Sequence, residues 1–211
     1  MTNNTPGDIP VGTDDVQLML RLGVPVALIR VLLKEADLPI SEDLMRSNKP
    51  VSQGLSKAER AVLLSGGARG LDEDAAAMRA EGRLMALNHL NECRALVEKS
   101  YELGVVAEFL GISPETTKAC VSGEARDLYA FQITYDGPWL FPQWQFYESD
   151  RIPNLHHLLL EVGESANPLV FSRFMLMESV DLEADEVPLS PRDWLIRGFE
   201  PEPVLMLVRD L

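Results

Sequence analysis

The sequence predicts a mainly α-helical protein with a helical N-terminal region, a winged helix-turn-helix carrying one β-hairpin, and a small C-terminal helical domain. Three observations predict it. Apolar residues recur at three- and four-residue steps through most of the chain. The run VVAEFLGISPETTKACVSGE, Val105 to Glu124, holds the pieces of a tight two-helix corner. Directly after it, β-branched and aromatic residues flank the turn sequence Tyr135-Asp136-Gly137-Pro138. With 211 residues, 46% of them hydrophobic, the chain can bury at least one ordinary core.

Residues 1–13 are rich in Asn, Thr, Gly and Pro and read as a mobile tail. Residues 14–74 read as a helical region to which no role is assigned. There, Val16, Leu20, Val24, Leu28, Val31 and Leu32 keep helical spacing across Gly23-Val24-Pro25, which predicts two short helices meeting at a bend. Ser41 to Ser47 could start a further turn. Ser56 and Glu59 stand in capping-box spacing, and Gly66-Gly67 stop that helix. No Gly-Lys-Ser/Thr follows those glycines, which argues against a phosphate loop. Asp72 to Tyr101 predicts the longest helix, with Met78, Leu84, Leu87, Leu90, Cys93 and Val97 as its apolar stripe. It is long enough to form a homodimer contact, and packing against the corner is the competing reading of the same stripe.

The segment 75–147 is read as the helix-turn-helix with its wing. Val106, Phe109 and Leu110 form the apolar face of the first helix, and Ala107 is small where a second helix must approach. Gly111 suits the left-handed backbone at that helix's end, and Ile112 plugs the corner. Ser113 caps the second helix, and Pro114 occupies its first position, where a missing N–H does no harm. Val121 closes the core side and Gly123 stops the helix. Leu128 to Thr134 and Trp139 to Phe141 are predicted as the two strands of the hairpin, with Pro142 ending the second. Trp144 and Phe146 are expected over the corner.

A second helix lying in the major groove would present Ser113, Glu115, Thr116, Lys118, Ala119 and Ser122 to double-stranded DNA, with Arg126 just beyond its end. Only Lys118 and Arg126 are cations, and Glu115 repels phosphate at the entering end. The chain's net charge is −14. Residues 1–74 carry eleven acidic and eight basic residues, 75–147 nine and six, and 148–211 thirteen and five. An acidic last third favours a basic partner over phosphate.

That last third, residues 148–211, is read as an acidic helical partner-binding domain. Ile152 to Gly163, Asn167 to Ser179, Ser190 to Gly198 and Glu202 to Asp210 each look helical. Ser190-Pro191-Arg192-Asp193 is a helix start, and Leu158, Phe171, Met175, Leu195 and Val204 are among its expected core. Asp181, Glu183, Asp185 and Glu186 lack calcium-loop spacing and read as a solvated linker.

Nothing in the sequence signals catalysis, a cofactor or a metal. His156 and His157 are neighbours that point about 100° apart on a helix, and neither they nor His89 belong to an HExxH pattern. No GxSxG elbow occurs. Cys93 and Cys120, with no CxxC spacing, read as two buried thiols. With no apolar run near the roughly 20 residues of a membrane span, a cytoplasmic protein without membrane contact is expected.

The run LFPQWQF, followed after a helical segment by SPRDWLIRGFEPEPVLMLV, resembles bacterial antitoxins of the Xre/MbcA/ParS type, which join a helix-turn-helix to a C-terminal toxin-binding domain. The resemblance covers about residues 91–211. It is carried by Gly111, Ser113 and Thr116 at the corner, by Leu140, Phe141, Pro142, Trp144, Gln145 and Phe146, and by Pro191, Trp194, Leu195, Gly198, Pro201, Glu202 and Val204. It implies a protein that represses its own promoter and neutralises a cognate toxin, often a RES-type enzyme that degrades NAD. It also implies docking of the toxin on the C-terminal helices, with Arg192, Trp194, Arg197, Glu202 and Arg209 as the expected partner-binding residues. The chain departs from the pattern at Pro114, Glu115 and Ala119, where polar or basic residues are usual, and at Thr117, where an aliphatic is common. The alternative expectation is an acidic protein-interaction module that keeps the corner as scaffold and binds no nucleic acid.

Overall fold

The computed structural model describes residues 11–35, Val62, Ser65, 75–163 and 166–211. Most of the expected tail, the turn at Ser41 to Ser47, the capping box at Ser56 and the stop at Gly66-Gly67 lie outside the described residues. The chain divides into two units, one of residues 1–20 with 24–91 and one of residues 21–23 with 92–211. The described residues are mainly helical, with three small antiparallel sheets.

The described chain opens with α1 (Thr13–Arg21) and α2 (Val26–Glu35), which flank the predicted bend. Gly23 supplies the left-handed backbone there at φ 75°, and the Val24 N–H donates to the Met19 carbonyl at 2.9 Å. Val16 and Met19 of α1 and Ile29, Leu32 and Leu33 of α2 are buried. The long helix α3 runs from Ala75 to Glu98. Its buried line is Ala86, Leu90, Cys93 and Leu96, and the expected stripe residue Leu84 is exposed. Six positions separate Leu84 from Leu90, a rotation of about 240°, so the two cannot share a face.

The second unit opens with β1 (Ser100–Glu102), then α4 (Leu103–Leu110) and α5 (Pro114–Ala119). The turn between α4 and α5 is built as the sequence requires. Gly111 sits at φ 66°, and the Ile112 N–H returns to the Ala107 carbonyl at 3.0 Å. Ser113 accepts the Thr116 N–H at 3.1 Å, and Pro114 is the first residue of α5. Val106, Leu128, Phe141 and Phe146 form the buried core behind this corner.

The expected hairpin is largely replaced. Leu140–Pro142 is a strand, β2, but it pairs antiparallel with β1, Tyr101 opposite Phe141. Leu128 to Thr134 forms no strand; a single bridge joins Phe131 to Leu140, each N–H donating to the other's carbonyl. The reason is local. Leu128 donates to the Cys120 carbonyl at 3.0 Å, and Tyr129 is held at both its N–H and its C=O by the side chain of Gln145, so the segment needs no ladder to satisfy its backbone.

A 3₁₀ turn (Gln143–Gln145) follows β2, then the short pair β3 (Phe146–Tyr147) and β4 (Asp150–Arg151). Helices α6 (Leu155–Val162) and α7 (Pro168–Leu176) lead to β5 (Ser179–Ala184) and β6 (Val187–Leu189), and α8 (Pro191–Ile196) and α9 (Glu202–Val208) complete the chain. The helix expected from Asn167 to Ser179 therefore ends at Leu176, and the expected acidic linker is a hairpin. Ala184 pairs with Val187 across Asp185 and Glu186, whose positive φ values of 55° and 64° are the pattern of a type I′ turn. Leu182, amid the carboxylates, is fully buried and anchors β5 in a sheet that packs on α8 and α9.

Candidate functional site

The corner presents one surface. Along α5 and its end, Ser113, Glu115, Thr116, Lys118, Ala119 and Ser122 are all exposed, while Thr117 alone faces the core. Thr117 is tolerated there because its hydroxyl donates to the Ser113 carbonyl at 3.0 Å, which satisfies the one polar group an aliphatic would not carry. The Glu115 carboxyl is held below its ordinary range, first by its own backbone N–H at the start of the helix and then by Ser113, so it is ionised at neutral pH. Lys118 is the single cation between Leu103 and Ser122, against Glu108 and Glu115.

Arg126 does not join that surface. Expected just beyond the second helix and facing DNA, it is instead 5% exposed, with its guanidinium donating to the carbonyls of Leu159 and Gly163 at the end of α6. The Leu159 carbonyl, which already accepts the Gly163 N–H at 3.2 Å, and the Gly163 carbonyl beyond the last turn are thereby both met by a cation, a favourable position against the helix dipole. His156, at the first turn of α6, bonds through Nδ1 to the Arg126 carbonyl at 2.6 Å. The loop after α5 is thus clamped to both ends of α6.

The residues of LFPQWQF divide their labour. Phe146 packs over the corner as expected, its ring 5.5 Å from Phe109 and 5.9 Å from Tyr101. Trp144 faces the other way. Its indole N–H donates to the Ser172 hydroxyl at 3.0 Å, and its ring lies 5.2 Å from Phe171 on α7 and 6.1 Å from Tyr129. Gln145 is fully buried and makes three hydrogen bonds, from the Tyr129 N–H at 2.8 Å, to the Tyr129 carbonyl at 2.8 Å and to the Pro142 carbonyl at 3.1 Å.

Of the expected partner-binding residues, Arg192, Trp194 and Arg209 are engaged within the chain. Arg192 donates to the Trp144 carbonyl at 2.9 Å and to Asp193 at 3.1 Å, which ties α8 to the 3₁₀ turn. Trp194 donates to the Glu200 carbonyl at 2.7 Å and lies 4.6 Å from the Phe199 ring. Arg209 pairs with Glu161 at 2.8 Å on the surface, and Arg197 and Glu202 are exposed. Arg151 pairs with Asp127 at 2.7 Å and Arg173 with Glu92.

A cleft of about 630 Å³ opens between the end of α3, Phe109 of α4, the 3₁₀ turn with β3, and α7. Its rim carries four large apolar side chains open to solvent: Phe109 (39% exposed), Tyr147 (42%), Leu176 (53%) and Met177 (58%). Sequence reading did not find it, because its walls come from segments up to 100 positions apart, from Glu92 to Arg192. Of the two thiols, Cys93 is buried and its pKa is pushed up to about 12, chiefly by burial, while Cys120 is only half-buried. No group of three or more His, Cys, Asp or Glu stands close enough to hold a metal ion among the described residues, and no helix there is long and apolar enough to cross a membrane.

No known family, curated protein or solved structure matches the chain.

Proposed function

We propose that the chain is an antitoxin-like regulator, which sets α5 against double-stranded DNA and uses its C-terminal elements to bind and neutralise a partner protein, a toxin. The observation that carries the reading is the build of the corner. Its second helix is fixed from behind through Thr117 and capped by Ser113, and every other α5 side chain is left exposed. A helix held this way is a presenting surface, since its outer face is exposed among the described residues.

The DNA half is tested by electrophoretic retardation of the chain's own upstream region at low salt, where phosphate contacts are strongest. Retardation lost in Lys118→Glu supports it, and no retardation at all removes it. For the partner half, deletion of the C-terminal helices would be uninformative, because Leu195, Val204 and Val208 are core residues. The exposed changes Arg197→Glu and Glu202→Lys are the better probes. Loss of co-purification with the product of the adjacent gene supports the reading, and an unchanged complex rules that surface out.

A second reading is favoured by charge. With Arg126 turned inward and Glu115 ionised, the exposed face of α5 keeps one cation. Specific duplex binders commonly make several phosphate contacts. On this reading the corner is scaffold, and the chain is an acidic protein-interaction module that binds no nucleic acid.

A further inference from the structure

The cleft between α3, the 3₁₀ turn and α7 is used by neither reading. We propose that it binds a small amphipathic carboxylate, with the apolar body of the ligand on Phe109, Leu176 and Met177 and its head group at Lys99. Isolated exposed apolar residues need no explanation, but here four large ones rim one concavity, which marks a surface built to be covered. A volume of about 630 Å³ lies within the range of small-molecule sites, which are mostly apolar with a few polar groups that fix orientation.

Charge selects the head group. In a chain of net charge −14, the lining of this cleft is net positive, with Lys99, Arg173 and Arg192 against Glu92 and Glu148. Arg173 is paired with Glu92, and Arg192 is spent on Asp193 and the Trp144 carbonyl. Lys99 has no ion-pair partner among the described residues, and its ammonium offers three N–H donors and no acceptor. The Arg173 guanidinium, which gives one nitrogen to Glu92, keeps further donors as well. Lys99 is exposed, so water meets its donors in the free protein; a ligand carboxylate, with two acceptor oxygens and the opposite charge, is the head group that complements it.

Trp144 lines the cleft and can report on it. In the full chain with Trp139→Phe and Trp194→Phe it is the sole tryptophan, and its emission is followed while dodecanoate or dodecyltrimethylammonium is added below the micelle concentration. The expected result is a saturable one-site change with dodecanoate and binding of the cationic amphiphile that is about tenfold weaker or more. Leu176→Asp, at a rim position that is half exposed, weakens dodecanoate about tenfold, and Met177→Asp repeats that test at a second position. Lys99→Glu weakens it about fivefold, while Lys118→Glu, the same charge change on α5, leaves it unchanged. No saturable response, equal affinity for the two amphiphiles, or unchanged affinity in Lys99→Glu or in both rim variants would overturn the proposal. None of these readouts depends on DNA or on a partner protein, so the functional reading above can fail while this one stands.

Discussion

Replacing Gln145 by Leu removes a side chain that substitutes for a missing strand. The volume is nearly conserved, so the cost is polar. The Tyr129 N–H, the Tyr129 carbonyl and the Pro142 carbonyl lose their bonds to a fully buried amide. A buried polar group left unmet costs about 1–3 kcal/mol. With some relaxation of the exposed ends, the three together come to about 3–5 kcal/mol, and at about 2–4 °C per kcal/mol for a chain of this size the midpoint falls by about 10 °C. All three tryptophans, Trp139, Trp144 and Trp194, lie in the second unit, so emission during urea or thermal unfolding reports on the unit that holds Gln145. Gln143→Leu, two positions away and only partly buried, is the matched control and should stay within about 0.5 kcal/mol. A loss below about 1 kcal/mol, or one equal to the control, would refute the claim that Gln145 holds the segment from Leu128 to Phe131 in place.

Three further outcomes are expected. Thr117→Val should change stability by less than about 1 kcal/mol in urea unfolding, because the Ser113 carbonyl keeps the Thr117 N–H at 2.9 Å when the hydroxyl is lost; Thr117→Ala adds a cavity and should cost more. Ser190→Ala should lower stability by about 1 kcal/mol, since Ser190 is buried and caps α8 through the Asp193 N–H at 3.1 Å. The Cys93 thiol, pushed up to about 12 from its ordinary value, should resist iodoacetamide at pH 8.5 in the folded chain. The sign for stability follows from the raised value. Below about pH 8.5 the thiol is neutral in both states and contributes no pH dependence; between there and about pH 12 only the unfolded chain ionises, so stability falls as pH rises. Cys93→Ala should flatten that slope in unfolding curves taken from pH 8.5 to 10.5.

The corner was legible in the sequence because its signals are local. Gly111 at φ 66°, the Ser113 cap and Pro114 at the first helical position each act within four residues, and each stands where spacing puts it. The bend at Gly23 and the start of α8 at Ser190 were readable for the same reason. What could not be read depends on distant partners. The β propensity of Leu128 to Thr134 is real, but Gln145 meets the Tyr129 backbone in place of a ladder. Arg126 looks like a surface cation in sequence, but the end of α6 gives it two carbonyls to meet, 33 and 37 positions on. The run of carboxylates from Asp181 to Glu186 hid a hairpin, since its turn uses Asp185 and Glu186 at positive φ where Asn-Gly would have signalled one. In the candidate site, spacing identified the exposed face of α5 and missed the cleft, whose rim joins α4 to α7.

The most direct test of the central claim is the fluorescence anisotropy of a labelled duplex from the chain's own upstream region, titrated with the full chain across a series of salt concentrations. One exposed cation on α5, doubled in a homodimer, predicts saturable binding at low salt whose logarithmic salt slope lies between about −1 and −2. Lys118→Glu should abolish it. No anisotropy change at the lowest salt, or binding that Lys118→Glu leaves intact, would contradict the account and leave α5 as scaffold.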